Sequence, residues 1–189
     1  MSVSTSHPEL RVPKTVALVG LMGAGKTAVG RRLAQRLGIA FYDADAEIEK
    51  AADATIAEIF VQNGEPFFRD REREVIKRLL ANPVHVLATG GGAVMDASTR
   101  ALLRERAITV WLRADLDLML ARVARRNTRP LLKDGDPRAV FERLMAERYP
   151  VYAEADITVD SVDGPAEMTL DRVLAALAVY LGVPAGAAR

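Results

Sequence analysis

The chain has 189 residues, 50% hydrophobic and 27% charged, with 26 Lys and Arg against 25 Asp and Glu for a formal net charge of +1. At about 150 residues per domain this is one domain with its own core, and a balanced charge gives no electrostatic grip on long nucleic acid. There is no cysteine, and the two histidines are His7 and His85, so disulfides, thiolate nucleophiles, Cys-ligated zinc and a multi-histidine metal site are excluded.

Strand-like and helix-like patterns alternate, which predicts an α/β fold on a parallel sheet. Thr15–Gly20 is a buried-strand run, Lys26–Leu37 a helix with Val29, Leu33 and Leu37 at helical spacing, and Gly38 its stop. Ile39–Tyr42 is a second strand ending at Asp43. Ala44–Ala81 carries helical patterns only: Thr55 and Glu58 fit a capping box, Asn63-Gly64 breaks the pattern, Pro66 restarts it, and Val75, Ile76, Leu79 and Leu80 form an apolar stripe. Val84–Ala88 is a third strand, with His85 expected as a packed core residue. Asp96 caps a helix to about Glu105, Ile108–Leu112 is a fourth strand, and Asp115 caps a helix with Leu116, Met119, Leu120 and Val123 on one face. Arg125–Pro137 is basic and turn-rich and reads as a mobile flap before a helix at about Arg138–Tyr149. Ile157–Val159 is a fifth strand, and Gly164-Pro165 opens a last helix burying Leu170, Val173, Leu174, Leu177 and Leu181. The apolar stretches Val16–Met22 and Val173–Val183 are too short to span a bilayer. The leader Met1–Thr15 has no signal-peptide pattern, so a cytoplasmic location is expected.

Gly20-Leu-Met-Gly23-Ala24-Gly25-Lys26-Thr27 matches GxxxxGK[ST] in full, between a strand and a helix. Glycines let the backbone turn its N–H groups toward phosphate, and the helix N-terminus adds partial positive charge. Lys26 is placed for the β- and γ-phosphates and Thr27 for Mg²⁺. The Asn-Lys-x-Asp base reader of GTPase switches is absent, as is a Leu-Ser-Gly-Gly signature. The third strand ends in Ala88-Thr89-Gly90, not in an acid, so a molecular motor is disfavoured and the metal's second anchor must lie elsewhere.

Asp43 and Asp45 sit at the carboxyl end of the second strand, the edge where an open α/β sheet binds ligands. Read as an extended segment, the two side chains share one side. Asp43 is suited to hold a metal-bound water and Asp45 to orient a substrate hydroxyl or take its proton. The bland reading is that both are solvated helix caps. Gly90-Gly91-Gly92 follows the third strand at the same edge and admits a ligand close to the main chain. Arginines are abundant, and each one alone reads as surface; Arg69, Arg129 and Arg148 stand out by their motif neighbours as a carboxylate clamp or a phosphoryl-neutralising group.

Taken in order, GLMGAGKT, FYDADAEIE, FFRDRE, ATGGGAV, RPLL and ERYPVY resemble the shikimate kinase family over roughly Val16 to Val159. The resemblance implies a three-layer P-loop kinase fold like that of nucleoside monophosphate kinases, with a five-stranded parallel sheet flanked by helices. It implies transfer of the γ-phosphoryl of ATP to the 3-hydroxyl of shikimate, a step toward chorismate, with Mg²⁺ as cofactor. On the resemblance, Lys26, Asp45 and Arg129 are the catalytic residues. Gly23, Ala24, Gly25, Lys26, Thr27, Ala28, Arg122 and Arg129 bind the nucleotide, with Arg122 near the adenine. Asp45, Arg69, Gly90, Gly91, Gly92 and Arg148 bind shikimate, and Thr27 and Asp43 serve the metal. The family's substrate-binding segment corresponds to about residues 44–73 and its lid to about 123–136; residues 1–14 and 184–189 are expected as a flexible leader and tail. Asp160–Gly164 lacks the arginine or glutamine that the family often places beside adenine, and that contact stays unassigned. Partners are ATP and shikimate, without nucleic acid or membrane, and a monomer is expected.

Two alternatives differ in kind. A related small-molecule kinase such as gluconate kinase shares the phosphate cradle but should lack the combination of Asp45, Arg69 and Arg148. A nucleotide-binding regulator without catalysis would bind ATP without substrate-dependent turnover.

Overall fold

In a computed structural model, which describes residues 10–125 and 136–183, five strands form one sheet in the order β2-β3-β1-β4-β5. They are β1 (Thr15–Val19), β2 (Ala40–Asp43), β3 (His85–Ala88), β4 (Ala107–Arg113) and β5 (Ile157–Asp160). Every pairing is parallel. Parallel neighbours need crossover connections, and helices supply them: α1 (Lys26–Leu37), α2 (Ala44–Ala52), α3 (Ile56–Leu79), α4 (Ala97–Arg106), α5 (Leu116–Ala124) and α6 (Pro137–Tyr152), while α7 (Ala166–Tyr180) follows the last strand and packs on α1 and β5. All residues of β1 and β3 are buried, as expected of strands covered on both faces. β5, at an edge, alternates buried and exposed.

The chain enters at the centre, runs out through β2 and β3, then crosses β1 to reach β4 and β5. That reversal leaves a crevice at the carboxyl ends of β1 and β3, where such sheets bind ligands. The phosphate loop, the β2 carboxylates and the glycine run all follow these strand ends.

Local signals set most boundaries. Gly38, in the left-handed region at φ 65°, closes α1, and Asp96 and Asp115 accept from the first-turn N–H groups of Thr99 and Leu118. The Thr55–Glu58 capping box is formed reciprocally. α3 is two helical pieces joined across Gly64 (φ 80°, ψ 173°), just before Pro66.

Three expectations change. α6 continues past Tyr149 through Pro150 to Tyr152, because Tyr149 donates to the Ala114 carbonyl (2.6 Å) and both tyrosine rings pack on Trp111. On α5, Leu118 and Met119 are the buried residues, whereas Leu116, Leu120 and Val123 are half-buried. On α7, Leu174 and Leu181 are half-buried at the edge of the stripe that buries Leu170, Val173 and Leu177. Among the described residues no helix is long and apolar enough to cross a membrane.

Candidate active site

A cleft of about 480 Å³ opens over the carboxyl edge of the sheet, lined by the phosphate loop, Asp43, Asp45, Thr89, Gly91, Arg122 and Ser161. Its floor is the turn from β1 into α1. Gly25 takes φ 98°, a conformation that disfavours a side chain, and as N-cap it offers no side chain to the first-turn N–H groups. An uncapped helix N-terminus facing a cleft favours negative charge in front of it. Gly23, Gly25, Lys26, Thr27 and Ala28 all line it. Lys26 Nζ donates to the carbonyls of Gly20 (2.6 Å) and Leu21 (2.9 Å), which hold the ammonium over its own loop.

Thr27 and Asp43 meet across the cleft floor, with Thr27 Oγ1 donating to Asp43 Oδ2 at 2.7 Å. The other oxygen of Asp43 caps α2, accepting from the N–H groups of Asp45 (3.1 Å) and Ala46 (3.4 Å). Capping and a cleft role therefore coexist in one carboxylate. The chain is not extended through Asp45, as its spacing from Asp43 suggested: α2 begins at Ala44, because the Asp43 cap starts the helix there. The two aspartates consequently part company, Asp43 toward Thr27 and Asp45 toward the glycine run.

A β-carbon at Gly90 would lie 2.9 Å from Asp45 Oδ1 and 2.6 Å from Glu72 Oε1, and one at Gly92 would lie 2.6 Å from Arg69 Nη2. At Gly91 a β-carbon would lie 3.3 Å from Arg148 Nη1. The glycines let these four charged side chains press on the main chain, where a β-carbon would have to push them aside. Arg69 arrives from α3, Arg148 from α6, and Asp45 from the first turn of α2.

Glu72 was not singled out in the sequence, yet it sits among these groups, 3% exposed, accepting from Arg69 Nη1 at 2.7 Å. Its Oε1 has no hydrogen-bond partner among the described residues. Burial pushes the Glu72 carboxyl above its ordinary value, a shift the Arg69 charge opposes and that of Asp45 reinforces. A signal existed: Glu72 falls on the same helical stripe as the buried Phe68, Val75, Ile76 and Leu79. A lone acid at an apolar position is rarely there for packing. Tyr152 was missed too. It lies 1% exposed and donates to the Gly91 carbonyl, and the Arg148 charge beside it opposes the upward push of burial on its hydroxyl.

Arg122 reaches the wall of the cleft and ties it together. Its Nη1 donates to the carbonyls of Gly23 (3.0 Å) and Ala24 (3.3 Å) and to Ser161 Oγ (2.9 Å), and its Nη2 to the Val162 carbonyl (2.5 Å). His85 is fully buried, as expected, with Nδ1 2.8 Å from the Pro83 carbonyl and its ring edge-on to Tyr42. Arg129 and most of the expected lid lie outside the described residues.

No cluster of three or more His, Cys, Asp or Glu forms a metal cage among the described residues. Thr27 and Asp43 offer two hard oxygens, which suits Mg²⁺, a cation that takes one or two protein ligands and completes its shell with water and substrate phosphates.

A family model described as shikimate kinase matches residues 22–178. A shikimate kinase of Rhodopseudomonas palustris is 58% identical over 168 residues, covering 89% of this chain and 83% of the relative. One of Paramagnetospirillum magneticum is 54% identical over 171 residues, covering 90% and 88%. Among solved structures, a shikimate kinase from Acinetobacter baumannii in complex with shikimate superposes with a TM-score of 0.84 at 41% identity, covering 89% of this chain and 93% of that one.

Proposed function

The chain belongs to the shikimate kinase family, and from that premise we propose that it transfers the γ-phosphoryl of ATP to the 3-hydroxyl of shikimate. The observation that carries the reading is the convergence of Asp45, Arg69, Arg148 and Glu72 on Gly90–Gly92, beside a complete phosphate cradle. A small triol carboxylate needs one hydroxyl acceptor and one cationic clamp, and this corner of the cleft supplies both.

Arg69 and Arg148 bind the substrate carboxylate, with paired N–H donors suited to its two oxygens. Glu72 holds the Arg69 guanidinium in place, and Tyr152 holds the Gly91 carbonyl beside Arg148. Asp45 accepts the hydrogen bond of the reacting hydroxyl and is within reach of its proton. The hydroxyl oxygen gives its proton to Asp45 and attacks the γ-phosphorus, the bond to the β-phosphate oxygen breaks, and ADP leaves.

The γ- and β-phosphates rest on the N–H groups of the loop from Gly23 to Ala28, and Lys26 leaves the Gly20 and Leu21 carbonyls for the phosphate oxygens. Thr27 and Asp43 hold Mg²⁺, which neutralises charge on the phosphates. Arg122 borders the nucleotide side. Arg129 is assigned to the transferred phosphoryl group on the family resemblance.

ADP release is measured with Mg-ATP against shikimate, gluconate and nucleoside monophosphates, with the product confirmed by mass. Release dependent on shikimate alone is expected. Release with another acceptor keeps the kinase and rejects the clamp assignment, and ATP binding without release in any mixture favours a regulator.

A further inference from the structure

Ser161 lies just beyond β5, 6% exposed, with its N–H donating to the Arg113 carbonyl at 2.7 Å. Its hydroxyl donates to the Ala24 carbonyl at 2.9 Å and accepts from Arg122 Nη1 at 2.9 Å. The next residue extends the chain of contacts, since Val162 N–H donates to the buried Thr169 Oγ1 on α7 at 3.3 Å while its carbonyl takes Arg122 Nη2. The phosphate loop is thereby fastened to β5, α5 and α7 through one serine hydroxyl and one guanidinium.

We propose that Ser161 is a positioning residue for nucleotide binding: it holds the Ala24 carbonyl so that the Gly25 N–H faces the phosphates. A trans peptide is planar, and its C=O and N–H point in opposite directions. With the Ala24 oxygen drawn to Ser161, the N–H of the same peptide unit, on Gly25, is turned away from Ser161. Gly25, at φ 98°, has no side chain to lock the peptide. Without the hydroxyl, the Ala24 carbonyl keeps only the longer Arg122 contact of 3.3 Å, and a flipped peptide would aim a carbonyl oxygen at an anion. Ser161 also accepts from Arg122, so one hydroxyl bonds both the cradle and the arginine beside it. This inference rests on the nucleotide half of the proposed function and not on the identity of the acceptor.

The test uses the full chain and its variants Ser161→Ala, Ser161→Cys and Ser161→Thr. ADP affinity is measured by titration calorimetry, the melting temperature by circular dichroism, and KM for ATP and for the acceptor by steady-state kinetics. Losing a buried hydrogen bond that orients the site should raise the ADP Kd about tenfold in Ser161→Ala. KM for ATP should follow while KM for the acceptor holds, and Ser161→Thr should restore most of the affinity. A serine that only stabilises the fold would lower the melting temperature and leave the ADP Kd of the folded protein within twofold, which overturns the proposal. Equal weakening of ADP and acceptor overturns it as well. Should Ser161→Ala fail to fold, Ser161→Cys, similar in size and a weak donor, gives the same reading. A wild-type chain that binds ADP but does not phosphorylate shikimate defeats the proposed function and leaves this test intact; one that does not bind ADP defeats both.

Discussion

Arg69 and Glu72 stand one helical turn apart on α3, their side chains meeting at 2.7 Å, with the carboxylate 3% exposed and the guanidinium against Gly92. A buried carboxylate that keeps one oxygen without a partner is costly to a fold. Its raised protonation value says the same: the folded state holds the Glu72 proton more readily than the unfolded chain, whose ordinary value is 4.5. This stability cost applies in full above the folded value and is relieved as pH falls through it.

Replacing Glu72 by Gln should therefore separate stability from function. The melting temperature at neutral pH is expected to hold, because Arg69 is partly solvated and keeps Glu65 as a second partner. KM for shikimate is expected to rise about tenfold or more as the Arg69 fork loses its charged anchor. KM for ATP should stay near the wild-type value. A parallel rise in both constants would remove Glu72 from the acceptor site.

Arg148→Lys tests the fork geometry of the proposed clamp. Lysine keeps the charge but presents a point cation in place of paired donors. It should raise KM for shikimate by roughly tenfold, equivalent to about one charge-assisted hydrogen bond, with little change in KM for ATP. Wild-type kinetics would leave Arg148 as a surface charge.

Asp43→Asn leaves a side-chain oxygen to cap α2 but weakens the oxygen pair with Thr27. The Mg²⁺ concentration for half-maximal rate should rise several-fold, on the order of the loss expected for one charged ligand, while the melting temperature moves little. An unchanged Mg²⁺ titration would take Asp43 out of the metal site.

Stability should fall at both ends of the pH scale for identifiable reasons. Burial holds His85 below its ordinary 6.5, so stability present above pH 6.5 is lost as pH falls toward the depressed value and the unfolded chain takes up the proton first. Tyr152 is pushed from 10.0 up to about 12, chiefly by burial, so its contribution is complete below pH 10 and is lost as pH rises toward 12. The slope of that loss approaches about 1.4 kcal/mol per pH unit between the two values. The alkaline part of the loss should shrink in Tyr152→Phe relative to wild type, read by urea unfolding at about pH 9 and about pH 11, on either side of the ordinary tyrosine value. Equal pH slopes in the two proteins would mean that Tyr152 does not carry it.

The single tryptophan gives an optical handle on the proposed acceptor site. Trp111 packs against Tyr149 and Tyr152 at centroid distances of 4.9 and 5.9 Å. Tyr152 in turn contacts Gly91 and Arg148. Shikimate should change Trp111 emission in a saturable way, and the change should weaken in Tyr152→Phe. Emission that responds to ADP alone would break the link between this aromatic cluster and the acceptor.

Much of this was legible in the linear chain because it is encoded locally. Hydrophobic periodicity, the caps at Asp96 and Asp115, the Thr55–Glu58 box and the break at Gly64 depend on residues within a turn or two, and the elements follow them closely. The phosphate loop is equally local, since its glycines and its Lys-Thr pair shape one continuous turn. The order of short motifs was enough to place Asp45, Arg69, Gly91 and Arg148 in one family pattern.

What tertiary packing alone decided is which side chains meet. Asp43 joins Thr27 while Asp45 turns to Gly90, because a helix begins between the two aspartates and redirects the chain. Glu72 becomes a buried partner of Arg69 because the stripe of α3 that carries it packs against the glycine run. Ser161 reaches Ala24 across 137 positions of sequence, because parallel crossovers bring the end of β5 to the same sheet edge as the end of β1. Hydrogen bonds and burial depend on distance in space, and no local pattern in a chain carries that distance.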